Sequence, residues 1–222
     1  MVNTARAGGL LQSADGATAR APESPWWLRR FLFSGDKTLR SGPSGKEQGG
    51  KACRASWAGG GVAVRVVRVL GRPVSVVAGE RGVLRVVLGR ALRPLEGTGR
   101  ACYWAELAAR QIEEYFLGTR QRFTAAVDFA GLSDFRRRVL TACAEIPFGE
   151  VRSYREVGET AGLGRGAARA VGQALAANPV PVIVPCHRVV KSDGSVGGFA
   201  AGRGWKKLLL RLEARCAKVG RV

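Results

Sequence analysis

His187 is the only histidine of the chain, and it directly follows Cys186 in the stretch VPVIVPCHRVVKSDGSVGGF, residues 180–199. A thiol acts as a nucleophile only as the thiolate, and an imidazole is the side chain best suited to take its proton near neutral pH. A lone cysteine is most often an inert buried hydrophobe. Here, however, the single imidazole stands against one of five thiols, which favours a working pair. Arg188 adds a positive charge that also favours the thiolate. Neighbouring side chains of an extended strand point to opposite faces, so the two groups need a turn, a helix start or a bridging water to meet. The preceding VPVIVP carries Pro181 and Pro185, which lack amide donors. It therefore reads as an extended apolar run threading the core rather than a central paired strand.

Composition removes other chemistry. The cysteines at 53, 102, 143, 186 and 216 form no C-x-x-C pair, and their number is odd. No secretory signal opens the chain, so a reducing interior with free thiols is expected. One histidine without clustered thiols argues against a zinc site; neither metal nor cofactor is expected. No run of eighteen apolar residues suggests a membrane span. Lys and Arg number 36 against 17 Asp and Glu, a net charge of +19. Residues 151–222, with thirteen basic and four acidic side chains, supply +9 of it. Such a surface favours a polyanion, most simply nucleic acid.

The elements that must position the pair begin after residue 60. Residues 1–60 contain SGPSGKEQGGK and one apolar patch, WWLRRFLF, without lasting periodicity. They read as a disordered extension, a targeting segment or the product of a start codon set too early. From Gly61, VAVRVVRVL, PVSVVAGERGVLRVVLG and TAAVDFAG are Val-rich strand candidates, the middle one a hairpin bracketed by Gly79 and Gly82. CYWAELAARQIEEYFLG places Trp104, Leu107, Ala108, Ile112 and Tyr115 at helical spacing. Nothing in this small α/β unit looks catalytic, and Glu106, Glu113 and Glu114 read as a solvated face.

A second unit starts at Ser133. SDFRRRVLTACAEIP reads as a helix with Phe135, Val139, Leu140 and Cys143 on one side. Ser153 and Glu156 form a capping box for the next helix, which Gly162 can end. RGAARAVGQALAAN forms another, closed by Pro179. Two short helices joined by a glycine-containing turn suggest a helix-turn-helix. Arg165, Arg169 and Gln173 would line one polar stripe of its second helix. The pattern fits a DNA-contacting helix and an ordinary packed helix equally well.

The stretch IPFGEVRSYREVGETAGLGRGAARAVGQALAANPVPVIVPCHRVVKSDGSVGGFAAG, with KKLLLRLE after it, resembles the O6-alkylguanine-DNA alkyltransferases. The P-C-H-R-V core preceded by N-P is its most specific part. The resemblance is strong over residues 133–214, weaker over 61–132 and absent from 1–60. It implies an α+β protein: a ribonuclease H-like α/β domain at 61–132, a mainly helical catalytic domain with the helix-turn-helix at 133–216, and a tail at 217–222. It implies a monomer that binds the minor groove of double-stranded DNA, flips out an alkylated guanine and moves the alkyl group irreversibly to Cys186. O4-alkylthymine would be a further substrate.

By the same resemblance, His187 deprotonates the thiol through a water and Glu213 orients the imidazole. Asn178 braces the turn that carries the thiol, and Tyr154 protonates the leaving guanine. Arg169 fills the gap in the base stack, while Arg165, Gln173 and Ser153 contact DNA. The backbone carbonyls of Cys186 and Val189 read the guanine amino group, and the loop Gly198–Gly202 closes over the base. That loop departs from the family in carrying Phe199 and Ala200 where many relatives have Tyr and Ser. The alternative reading is an alkyltransferase-like lesion binder without chemistry, against which Cys186 speaks. The expected place of action is the nucleoid of a bacterium or the nucleus of a eukaryote, with organelle targeting by residues 1–60 left open.

Overall fold

The computed structural model describes residues 61–164 and 166–219; the readings placed on residues 1–60 and on Arg165 lie outside them. Three antiparallel strands pair in chain order: β1 Ala63–Val69, β2 Arg72–Gly79 and β3 Gly82–Leu88. The β1–β2 turn is only Leu70 and Gly71, both at positive φ (51° and 74°), the geometry that follows the right-handed twist of a hairpin. Gly79 and Gly82 bracket the β2–β3 turn as the sequence suggests.

Helix α1, Gly99–Phe116, covers one face of this sheet. The Thr98 side chain caps its start by accepting from the Ala101 amide. Its buried stripe is Ala101, Ala105, Ala108, Ala109, Ile112, Tyr115 and Phe116. The small residues let the helix lie close to the strands, and Trp104 and Leu107 stay at the rim. The expected strand TAAVDFAG is reduced to one bridge, Val127 to Val83. The side chain of buried Gln111 accounts for the difference: its Oε1 accepts from the Thr124 and Ala125 amides at 2.9 and 3.2 Å, taking the place of a ladder.

The second half is mainly helical: α2 Asp134–Ala144, α3 Tyr154–Thr160, α4 Ala168–Ala176 and α5 Arg203–Val219. Helices α2, α3 and α4 pack on one another. The capping box is present, with Ser153 Oγ accepting from the Glu156 amide at 3.2 Å and Glu156 accepting from the Ser153 amide at 2.6 Å. A short parallel pair, β4 Arg152–Ser153 and β5 Val189–Val190, ties the start of α3 to the segment after Cys186. Helix α5 continues past the expected start of the tail at residue 217.

VPVIVP is not extended. The Val184 amide donates back to Val180 O at 3.0 Å, and the Cys186 amide to Val184 O at 2.8 Å around Pro185. Val182 sits at φ 78°, a strained conformation for a β-branched residue. The two prolines cannot donate to a ladder, and the chain satisfies its polar groups within tight turns instead. Val180, Val182 and Val184 are all buried.

One core joins both halves, running from Val76 and Ile112 through Leu140 to Leu209. The amide of Val86 in β3 donates to Pro179 O at 2.9 Å. The sheet unit thus supports the loop that carries the thiol. The architecture is α+β, and none of the helices among the described residues is long and apolar enough to cross a membrane.

Candidate active site

Cys186, His187 and Arg188 form a single 3₁₀ turn between Pro185 and β5. Three residues per turn set successive side chains about 120° apart, so the pair escapes the opposed arrangement of a strand. Cys186 is 5% exposed and His187 wholly buried. Asn178, just after α4, holds the turn from behind. Its Nδ2 donates to Cys186 Sγ at 3.1 Å and to Val184 O at 3.0 Å, and its Oδ1 accepts from the Val180 amide at 3.0 Å.

Burial pushes the Cys186 thiol up to about 11; the Asn178 amide and the positive charge of Lys206 offset this in part. The expectation that the site lowers the resting thiol, with Arg188 helping, is therefore corrected. The Arg188 guanidinium is bound elsewhere: Nε reaches Glu213 Oε1 and Oε2 at 3.1 and 3.0 Å, and another nitrogen donates to Ile146 O at 2.5 Å. A buried carboxylate binds a neighbouring guanidinium more strongly than a neutral thiol can.

Glu213, on α5, collects four donors. His187 Nε2 donates to Oε1 at 2.7 Å, Tyr115 Oη donates to Oε1 at 2.6 Å, Arg188 donates to both oxygens, and the Gly149 amide donates to Oε2 at 3.0 Å. Burial alone would raise this carboxyl. The hydrogen bond and charge of His187, then those of Arg188, outweigh it and hold Glu213 near about 2. Burial in turn pushes His187 below its ordinary value, despite Glu213. The result is a neutral imidazole beside an ionised carboxylate. With Nε2 carrying the proton given to Glu213, the lone pair lies on Nδ1. Nδ1 is buried and has no hydrogen-bond partner among the described residues. Chemically the arrangement is able to serve as a general base: its proton-bearing side is anchored, and its acceptor side has no partner among the described residues.

Tyr154 opens α3 and is half-buried, its ring against Gly172 of α4. A Cβ at Gly197 would run into its hydroxyl, so that close approach needs a glycine. Lys206 lies 5.8 Å over the same ring, completely buried. Its Nζ donates to Val189 O at 2.5 Å and lies 3.4 Å from Gly198 O. The Val189 carbonyl, expected to read the guanine, thus already holds a lysine. In the loop after it, Phe199 is half-buried and Ala200 exposed, and the Gly202 amide closes a turn onto Phe199 O at 2.9 Å.

Arg169 and Gln173 are exposed on α4, one helical turn apart. The Ser153 hydroxyl and amide both serve the α3 cap, as its capping-box reading expects. Sequence reasoning missed Tyr115, Lys206 and the Gly149 amide. Tyr115 sits at core spacing with Ile112, and nothing in the pattern marks its hydroxyl. Lys206 did carry a signal: it is seven residues before Glu213, hence on the same face of α5.

The family described as 6-O-methylguanine DNA methyltransferase, DNA binding domain, matches residues 134–215. The methylated-DNA–protein-cysteine methyltransferase of Methanosarcina barkeri is 46% identical over 106 residues, covering 48% of this chain and 66% of that protein. The protein of the same name from Mycolicibacterium paratuberculosis is 45% identical over 108 residues, covering 49% and 64%. The matched stretch thus spans just under two thirds of either relative's length. The solved O6-methylguanine methyltransferase of Mycobacterium tuberculosis superposes with a TM-score of 0.58 at 32% identity, covering 69% of this chain and 93% of that one. The structure of the Mycobacterium tuberculosis protein OGT in complex with DNA gives 0.57 at 34% identity, with the same coverage. The relative from Methanothermobacter thermautotrophicus is 34% identical over 141 residues and is covered to 78% of its length. On this likeness of sequence and fold, the chain belongs to the methylated-DNA–protein-cysteine methyltransferase family.

Proposed function

We propose that the chain repairs DNA by a single irreversible transfer of the alkyl group of O6-alkylguanine, and of O4-alkylthymine, to its own Cys186. The observation that carries this reading is the buried constellation Asn178–Cys186, His187–Glu213, in which the imidazole is neutral and its Nδ1 is left over as an acceptor. His187 Nδ1 takes the thiol proton through a bridging water. The sulfur attacks the alkyl carbon, the S–C bond forms as the C–O bond breaks, and the electron pair stays on the purine. Tyr154 gives the departing base its proton and regains one from the imidazolium through solvent. The thioether cannot be displaced by any second thiol pair of the chain, so each molecule acts once. The lesion is the alkyl donor, and no cofactor enters the balance. A thiol held at about 11 until substrate arrives is spared from other electrophiles.

DNA binding is supported by the two short packed helices α3 and α4, read as a helix-turn-helix, by exposed Arg169 and Gln173, and by the +9 of residues 151–222. A monomer enters the minor groove, with Arg169 filling the space of the extruded guanine and Arg165, Gln173 and Ser153 on the backbone. The Phe199–Ala200 loop closes over the base, and the Val189 carbonyl, which holds Lys206 with one lone pair, offers the second to the guanine amino group. The sheet and α1, residues 61–132, form a reduced ribonuclease H-like domain beside the catalytic domain 133–216. To test the reading, protein is titrated against duplex carrying one O6-methylguanine. Lesion loss ending at one per protein molecule supports it, with Cys186→Ala binding the duplex but removing nothing. Repeated turnover overturns it.

A further inference from the structure

The Tyr115 hydroxyl reaches from the sheet unit into the relay. It reaches Glu213 Oε1 at 2.6 Å and lies 3.3 Å from His187 Nε2, across 98 and 72 residues of chain. The side chain is wholly buried, its ring packed against Phe116, Phe123 and Phe148. Packing alone would be served by phenylalanine. A tyrosine buried here must spend its hydroxyl on a partner, and it spends it on the oxygen that also anchors the imidazole.

We propose that Tyr115 is a positioning residue for the thiol-activating relay: by donating to Glu213 Oε1 it shares the charge of that oxygen with His187 and keeps the imidazole neutral, while the bond to Glu213 itself holds the proton on Nε2. The sheet unit is then part of the catalytic machinery. This rests on the reading of His187 as the base for Cys186. The groups facing the imidazole are Tyr115 from α1, Glu213 and Lys206 from α5, and Arg188 from its own turn, with Cys186 its neighbour in the chain. Cys143 from α2 faces Cys186. Cys216 lies near Glu213. Without the Tyr115 hydroxyl, Oε1 has more negative charge to offer Nε2, which favours the imidazolium. The imidazole should therefore titrate at higher pH, and a neutral base should be lost sooner on acidification.

His187 being the only histidine, ¹⁵N-histidine labelling of the full chain gives a single imidazole whose tautomer and titration are read by NMR with no DNA present. The wild type should show the neutral Nε2–H form. Tyr115→Phe should move the titration up by about one unit, the scale on which one charge-assisted hydrogen bond separates two protonation states. The acid limb of its single-turnover rate on a free O6-alkylguanine base should move with it. Should the variant fail to fold, replacement of all tyrosines by 3-fluorotyrosine, a stronger donor, should move the titration down. An imidazole that titrates identically in the wild type and the tyrosine-altered protein overturns the proposal, whatever the transfer assay gives. A shifted imidazole in a chain that transfers no alkyl group leaves it standing and removes the repair reading alone.

Discussion

His187 Nε2 and Glu213 Oε1 lie 2.7 Å apart in a region closed to solvent, and the bond between them decides which nitrogen of the imidazole can act. It commits Nε2 as a donor and leaves the Nδ1 lone pair as the one able to accept a proton. The carboxylate that achieves this also carries Arg188, so one side chain serves both the chemistry and the fold.

Removal of Glu213 should therefore cost stability as well as rate. Glu213→Ala leaves the Arg188 guanidinium buried without its counter-charge, a loss of about 3–5 kcal/mol for a broken buried pair. Chemical denaturation of the free protein measures it. A loss below about 1 kcal/mol, the ordinary worth of an exposed pair, would contradict the buried arrangement.

Acid should destabilise the protein in two stages. His187 is pushed below 6.5 by burial, so the folded state refuses a proton that the unfolded chain takes, and stability falls as pH drops below about 6.5. Glu213 is held near about 2 against 4.5 when unfolded, so its contribution is complete above 4.5 and is lost as pH falls toward 2. Unfolding midpoints across this range should decline throughout, and Glu213→Gln should flatten the lower part. A midpoint unchanged from pH 7 to 3 would refute both.

Asn178→Ala should cost about 1–3 kcal/mol, because the Val180 amide and the Val184 carbonyl lose a buried partner. It should also slow transfer, since Cys186 Sγ loses its nearest donor. Denaturation and single-turnover rates test the two effects separately; a loop indifferent to Asn178 would leave both unchanged.

Tyr154→Phe and Arg169→Ala should separate chemistry from base extrusion. Loss of the Tyr154 proton donor should slow reaction about 10²-fold with free O6-alkylguanine and with duplex alike. Arg169→Ala should slow only the duplex reaction, because a free base needs no flipping. Equal losses on both substrates for Arg169→Ala would remove it as the residue that fills the stack.

Much of this site is legible in the sequence because it is local. The capping box at Ser153–Glu156, the adjacency of Cys186 and His187, and the hairpin between Gly79 and Gly82 all lie within a few residues. What escapes is set by tertiary competition. Whether Arg188 faces the thiol or Glu213 depends on how α5 docks against the 3₁₀ turn. The turns of VPVIVP depend on Asn178 reaching back over them. Tyr115 reads as core, and its hydroxyl finds a partner only because the fold brings the end of α1 within reach of Glu213 on α5. The raised thiol follows from burial, which spacing does not report.

Cys186 should be the acceptor of the alkyl group. After mixing the full chain with a duplex containing O6-methylguanine, peptide mass spectrometry should find one added methyl group on the peptide bearing Cys186 and none on those bearing Cys53, Cys102, Cys143 or Cys216. His187→Ala should reach the same product about 10²-fold more slowly. A methyl group on another cysteine, or a lesion lost with no mass gained by the protein, would contradict the account.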